Sequence, residues 1–227
     1  VNNGKKRLVV FDLDGTLIDG TVYIWQTLYE KFVPDRSESR KVTKAYYSGE
    51  ITYEQWFTHD IETFKSCGVN RDKILECVRS LRLMKGARET LCHLKEKGHV
   101  LALISGSLSI VLDELFPDHP FDHVMINEIH FDERGEITGG TATPYDVEKK
   151  GEGLELLASR EGIELKDCVF IGDNENDLSI AAKAGFPIAF NCKSERLAEL
   201  SKVVIKEKDL TKVLEVIGTG SNAHESA

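Results

Sequence analysis

The sequence predicts an α/β protein organised around a parallel sheet, and three apolar runs carry that expectation. Leu8-Val9-Val10-Phe11, Val100-Leu101-Ala102-Leu103-Ile104 and Cys168-Val169-Phe170-Ile171-Gly172 are short, continuous and without helical period, the pattern of strands buried on both faces. Each run breaks into polar residues at its C-terminal end, and stretches with helical spacing lie between them. Ligands of α/β proteins bind at that edge of the sheet.

The first run ends in Asp12-Leu13-Asp14-Gly15-Thr16-Leu17, where two carboxylates two positions apart meet a glycine turn. Carboxylates this close repel each other, and a divalent cation would relieve the repulsion. From about residue 17 to residue 83 no strand-like run occurs, and helical spacing recurs, as in Val22, Trp25, Leu28, Tyr29 and Phe32. This predicts a helical insertion, hinged at the glycines around residues 15–20 and at Met84-Lys85-Gly86. A helix over about 87–97 leads to the second strand, which ends in Ser105-Gly106-Ser107 before a helix over about 108–116. A hydroxyl and free backbone N–H groups at that point form a cradle for an anion. Residues 124–131 and 136–143 alternate on either side of Asp132-Glu133-Arg134-Gly135 and predict a β-hairpin. Lys149-Lys150-Gly151 then heads an amphipathic helix over about 150–160, where a lysine can reach a phosphate as a point charge. The third strand ends in Asp173-Asn174-Glu175-Asn176-Asp177, an acidic cluster suited to an oxygen-ligated cation such as Mg2+. Helices over about 176–184 and 210–217 and strands near 188–190 and 203–205 complete the sheet, and residues 218–227, small and polar, are expected to fray.

A chain of 227 residues has room for one large or two modest domains. Its net charge of -9 argues against nucleic-acid or anionic-membrane binding. No apolar run approaches the span of a bilayer and no signal-peptide pattern opens the chain, so the expected compartment is the cytoplasm. The cysteines, Cys67, Cys77, Cys92, Cys168 and Cys192, are odd in number and form no C-x-x-C, which predicts reduced thiols. His119 and His123 are four apart, but Pro120 between them opposes a helical metal face.

Taken in order, the Asp-x-Asp strand end, the Ser-Gly-Ser loop, Lys150 and the acidic cluster of residues 173–177 resemble the motifs of haloacid-dehalogenase-superfamily phosphatases. The resemblance is greatest to the phosphoserine-phosphatase-like branch and covers residues 6–217. It implies a doubly wound, Rossmann-type parallel sheet with a helical cap inserted after the first strand, and an aspartyl-phosphate mechanism. The α/β core would then be residues 1–16 and 85–217, the cap residues 17–84, and residues 218–227 a flexible tail. By the same resemblance Asp12 is the nucleophile, and Asp14 is the general acid that later serves as base. The Asp12 carboxylate, the Asp14 backbone carbonyl and Asp173 would ligate Mg2+, with Asp177 supporting them. Ser105, the Gly106 N–H and Lys150 would hold the phosphoryl oxygens, and Asn176 would contact phosphate or substrate. These roles suit phosphoryl transfer, in which a protein chiefly positions the group and neutralises its charge.

Phosphoserine phosphatases hold the substrate amine with a glutamate shortly after the first motif and its carboxylate with an arginine in the cap. Here the resemblance puts Thr21 and Asp60 at those two substrate-binding positions. A carboxylate at Asp60 repels a substrate carboxylate that a guanidinium would bind with two hydrogen bonds, although Lys65 or Arg40 could substitute. The expected activity is therefore Mg2+-dependent hydrolysis of a small phosphorylated metabolite, other or broader than phosphoserine. One alternative is a phosphoserine phosphatase with relocated cap contacts. Another, from a different class, is a non-catalytic phospho-ligand binding protein, which would have no need of Asp14. Both tryptophans and five of the six tyrosines lie in the insertion and would build its core. Tyr23 and Trp56 are candidates to wall an apolar or cationic substrate part, with Asp60 pairing an amine.

Overall fold

Residues 5–219 are described by the structure, a computed structural model. The chain opens with β1 (Leu8–Phe11) and β2 (Ile18–Asp19), then runs through α1 (Ile24–Phe32), α2 (Ser37–Tyr47), α3 (Tyr53–Ser66), α4 (Arg71–Val78) and β3 (Arg82–Leu83). It continues as α5 (Ala87–Glu96), β4 (Val100–Leu108), α6 (Ser109–Leu115), β5 (His123–Phe131), β6 (Ile137–Thr141) and α7 (Lys150–Glu161). β7 (Cys168–Gly172), α8 (Leu178–Ala181), β8 (Phe186–Phe190), α9 (Glu195–Leu200), β9 (Val203–Ile205) and α10 (Lys212–Thr219) follow.

One sheet of seven strands has the order β6-β5-β4-β1-β7-β8-β9, and every pair in it is parallel except β5 with β6. Successive residues of β1 point to opposite faces and both faces are covered. Val9 and Phe11 pack with Leu91, Val111 and Val213 on one side, Leu8 and Val10 with Leu154, Leu157 and Leu197 on the other. Double coverage is why the runs read as continuously apolar rather than alternating. From β1 the chain moves to β4 and β5 on one side, then crosses to β7 on the other. The C-terminal ends of β1, β4 and β7 thus flank the topological switch point, where an open α/β sheet forms its crevice.

Two-residue strands β2 and β3 pair antiparallel at the base of the insertion, Ile18 with Leu83 and Asp19 with Arg82. A pair this short leaves no periodicity, so the stretch predicted to be strand-free contains a short ribbon instead. Within the insertion, α3 starts in a capping box between Thr52 and Gln55, and the Asn70 side chain caps α4. Trp25 stacks on Phe64 with centroids 6.0 Å apart and meets Phe57 edge-on at 5.6 Å, fixing α1 against α3. α2 buries no residue.

Three predicted elements differ in extent. β4 continues through Ser105-Gly106-Ser107 to Leu108, with a register shift against β5 between Ile104 and Leu108, so the loop is an irregular strand end. The helix expected over 176–184 is a 3-10 turn at Glu175–Asp177 followed by α8 alone, because the Asn174 and Asp177 side chains bond the backbone at its start. α10 runs two residues into the segment expected to fray, and residues 220–227 lie outside the described residues. All five cysteines are free thiols. His123 bonds Glu161 at 2.9 Å while His119 accepts from the Phe121 N–H, so the two histidines face different partners. Among the described residues no helix is long and apolar enough to cross a membrane.

Asp19 in the β2–β3 ribbon accepts from Lys208 and Arg82, each at 2.8 Å, and these cations hold its carboxyl down to about 2. The folded value is below the unfolded one, roughly 3.9. Its contribution is therefore full above about pH 4 and disappears as pH falls towards 2. Asp19→Asn is expected to lower stability at pH 7 by up to about 1 kcal/mol and to flatten the acid limb between those values in urea titrations. An unchanged limb would rule Asp19 out as its source.

Candidate active site

Asp12 closes β1 and Lys150 opens α7, and the two meet beneath the sheet edge. Lys150 Nζ lies 2.9 Å from Asp12 Oδ1 and 2.8 Å from Asp177 Oδ1, and its side chain is wholly buried. Burial opposes the ammonium charge, yet the Asp12, Asp177 and Asp146 carboxylates hold Lys150 well above the ordinary lysine range. Asp177 Oδ2 accepts the backbone N–H groups of Asp173 at 3.0 Å and Asn174 at 3.3 Å, so both of its oxygens are engaged. Asp173 forms an ion pair with Lys193. Burial, then the Asp12 and Asp177 charges, push its carboxyl up to about 8. One oxygen from each of Asp12, Asp173 and Asp177 lies within 4.8 Å of the others, a hard oxygen set that suits a small divalent cation. Crowding also dictates Gly15, whose φ is +75° and whose absent Cβ would collide with the Asp173 carboxylate.

Asp14 has different surroundings. Its Oδ2 accepts the Ile24 N–H at 2.8 Å, at the first turn of α1, and its Oδ1 bonds the Ser107 hydroxyl at 2.9 Å. Burial pushes its carboxyl up to about 7 against the Ile24 hydrogen bond, and the Asp12 charge adds to the rise. Asp12 therefore touches an ammonium and Asp14 touches none. Two carboxyl groups in such unlike settings are the arrangement that separates a nucleophile from an acid. The Asp14 carbonyl accepts none of the hydrogen bonds that close the turn at residues 13–18.

A cavity of about 820 Å³ opens over these groups. Asp12, Asp14, Ser105, Gly106 and Asn176 line it from the sheet edge, and Tyr23, Trp56 and Asp60 line it from the insertion. Lys150, Asp173 and Asp177 are buried behind them. Thr21 is not on this wall: its hydroxyl meets that of Thr27 at 2.8 Å and it lines a separate cavity of about 310 Å³. Asp60 is 6% exposed and accepts from the Tyr29 hydroxyl at 2.6 Å; burial pushes its carboxyl up against that bond. Lys65 pairs with Glu62 and stays away from the cavity, whereas Arg40 lines it.

Several residues about the site escaped the sequence reading. Arg36 just before α2 and Thr43 and Tyr47 on it face the cavity beside Arg40, and their spacing of three to four residues was the available signal. Ser107 belonged to a recognised loop, but its bond to Asp14 joins residues 93 apart. Lys193 and Asp146 carried no local mark. Asp146 stands directly over Gly106, where a Cβ would collide with its carboxylate.

Residues 6–185 match the family model of the haloacid dehalogenase-like hydrolases. The chain belongs to this family. It is 32% identical over 214 residues to the phosphoserine phosphatase of Methanocaldococcus jannaschii, an alignment covering 94% of this chain and 98% of that one. To the phosphoserine phosphatase of Archaeoglobus fulgidus it is 32% identical over 217 residues, 95% of this chain and 61% of that longer one. A solved structure of a phospho-aspartyl intermediate analogue of phosphoserine phosphatase superposes with a TM-score of 0.72 at 31% identity, covering 94% and 99% of the two chains. This haloacid dehalogenase-like hydrolase is a phosphatase of the phosphoserine-phosphatase-like branch.

In this hydrolase, replacing Lys150 by methionine keeps the length of the side chain but leaves Asp12 and Asp177 as buried carboxylates without their cation. Lys150→Met is expected to cost about 3–5 kcal/mol in urea unfolding at pH 7. Adding Asp177→Asn should restore part of the loss. A cost below about 1 kcal/mol would show that the ion pairs do not hold the site together.

Proposed function

We propose that this phosphatase is a Mg2+-dependent phosphomonoesterase for small phosphorylated metabolites, acting through an aspartyl-phosphate on Asp12. The observation that carries the reading is the pair of unlike carboxyl groups, Asp12 and Asp14, on the same wall as Ser105 and Gly106. Residues 1–16, of which 1–4 lie outside the described residues, and 85–217 form the catalytic core, and residues 17–84 form a cap that covers the cavity and excludes water.

An Asp12 carboxylate oxygen bonds to phosphorus as the ester oxygen departs with its electron pair, and the Asp14 carboxyl gives that oxygen a proton. Asp14, now a carboxylate, takes a proton from water as the water oxygen attacks phosphorus. The bond to Asp12 breaks, releasing inorganic phosphate and the original carboxylate. Ser105, the Gly106 N–H and Lys150 hold the phosphoryl oxygens, and Asn176 meets the phosphate or the adjoining substrate. Mg2+ would be held by the Asp12 carboxylate, the Asp14 carbonyl and Asp173, and when bound it neutralises the phosphoryl charge beside Asp12. Asp177 supports that set, because one oxygen fixes Lys150 and the other fixes the Asp173 and Asn174 N–H groups.

Asp12→Asn is expected to abolish turnover without unfolding the protein. Asp14→Asn should slow alkyl phosphates by roughly 10²–10⁴-fold and aryl phosphates far less, since only poor leaving groups need a proton. Equal losses on both substrate types would remove Asp14 as the acid.

Substrate choice rests on the cap wall. Asp60 presents a carboxyl where a substrate carboxylate would need a cation, and Thr21 faces the other cavity, which favours a substrate other or broader than phosphoserine. Hydrolysis of phosphoserine through relocated contacts is the second reading, favoured by Arg36 and Arg40 on the cavity wall and by the phosphoserine phosphatases among the relatives. The two readings separate on kcat/KM for phosphoserine against ethanolamine phosphate. The first expects ethanolamine phosphate to be at least as good and Arg36→Gln/Arg40→Gln to leave it unharmed. Phosphoserine as the better substrate, lost in that double variant, would establish the second.

A further inference from the structure

The Gly106 carbonyl, at the centre of the Ser-Gly-Ser segment, accepts two side-chain hydrogen bonds. One comes from Trp25 Nε1 on α1 at 2.7 Å and the other from Asn127 Nδ2 on β5, also at 2.7 Å. Asn127 is fully buried and spends its remaining polar capacity on the same region. Its Nδ2 also donates to the Tyr53 hydroxyl on α3 at 2.8 Å, and its Oδ1 accepts the Thr143 N–H at 2.8 Å. Two residues of the proposed cap, Trp25 directly and Tyr53 through Asn127, thereby converge on one carbonyl of the core.

A trans peptide points its C=O and N–H in opposite directions. Holding the Gly106 carbonyl towards Trp25 and Asn127 turns the Ser107 N–H the other way, where it donates to Ser105 Oγ at 3.2 Å. The Ser107 hydroxyl then meets Asp14 Oδ1, while the Ile24 N–H, one residue before Trp25, meets Asp14 Oδ2. The first turn of α1 thus grips both the acid and the phosphoryl loop. The Trp25 ring is itself fixed between Phe57 and Phe64, so the indole N–H is aimed by packing rather than free to seek water.

We infer that Trp25, Asn127 and Tyr53 are positioning residues that set the Gly106–Ser107 peptide when the cap is docked, so that the Ser105 hydroxyl is oriented for the phosphoryl group only in that state. The inference rests on the phosphatase reading for the loop's task, and on the hydrogen bonds alone for its shape. A carbonyl with both acceptor directions filled has one orientation, whereas a register-shifted strand end with an unbonded glycine carbonyl has several.

Trp25→Phe removes the N–H and keeps a ring in the aromatic stack, and Tyr53→Phe removes only the hydroxyl, which anchors Asn127 and also bonds the Asp146 carboxyl. Two measurements on the full chain decide the matter: amide hydrogen exchange over residues 105–108, and inhibition by orthovanadate with Mg2+ during hydrolysis of an aryl phosphate. Trp25→Phe is expected to speed exchange in that segment about tenfold and to raise the vanadate inhibition constant by a similar factor, the size of one buried hydrogen bond. Its melting temperature should stay close to that of the wild type, and exchange in β1 and β7 should not move. Tyr53→Phe should give a smaller change in the same direction. Exchange and vanadate inhibition both within twofold of wild type would overturn the inference, as would weakened vanadate binding with unaltered exchange. A wild-type protein that hydrolyses no phosphate ester and binds no vanadate would instead overturn the phosphatase reading, and the exchange measurement would still decide whether Trp25 sets the peptide.

Discussion

One buried ammonium makes the rest of the site possible. Desolvating a charge costs several kcal/mol, and Lys150 is tolerated because Asp12 and Asp177 are bonded to it and Asp146 lies close by. The dependence is mutual, since Asp12 and Asp177 are as buried as the lysine and need its charge. These partners come from the ends of β1, β7 and α7, so the ion cluster also fixes how α7 docks on the sheet. Gly151 and Gly153 record how tightly α7 is packed: a Cβ on the first would lie 2.6 Å from the Ser179 carbonyl oxygen on α8, and on the second 3.2 Å from Ile104 of β4. Glycine weakens a helix by about 1 kcal/mol relative to alanine, and two in the first turn of α7 are the cost of bringing Lys150 to its carboxylates.

The same cluster shapes the electrostatics of the open cavity. Asp12, Asp14, Asp60, Asp146, Glu148 and Glu175 all reach its lining, an unpromising host for a phosphate dianion by count alone. Position matters more than count. On the proposed function the donors for phosphoryl oxygens, Ser105, the backbone at Gly106 and Lys150 behind them, would gather at one point of the sheet edge, near Asp14, whose carboxyl burial pushes up to about 7. Arg36 and Arg40 offer the opposite sign from α2.

What the sequence made legible were features that a single segment carries. The strands at Leu8, Val100 and Cys168 were readable because burial on both faces writes itself as an unbroken apolar run. Asp12, Asp14, Ser105, Lys150 and Asp173 were readable because each sits where such a run ends or a helix begins. The illegible parts join segments far apart in the chain. Lys193 reaches Asp173 only because β8 lies beside β7, and Asn127 reaches Gly106 only because β5 lies beside β4. Asp60 was marked only by the resemblance, as a substrate-binding position, and its burial against Tyr29 was not legible because Tyr29 arrives from α1. The ribbon of β2 and β3 was invisible for a simpler reason, since two residues cannot display a period of two.

The α1–α4 insertion is bound to the sheet edge in two unequal ways. α1 is committed: Ile24, Leu28 and Tyr29 are buried, Trp25 is stacked, and its first turn bonds both Asp14 and Gly106. α2 buries no side chain completely and is held instead through a partly exposed aromatic cluster on α3, Tyr46 against Tyr53 and Trp56 and Tyr47 against Trp56. The residues that differ in sign from the carboxylates below are Arg36, immediately before α2, and Arg40 within it. On the proposed function, α1 would serve the chemistry common to phosphate esters, and the cavity side of α2 would face the part of the substrate by which one ester differs from another.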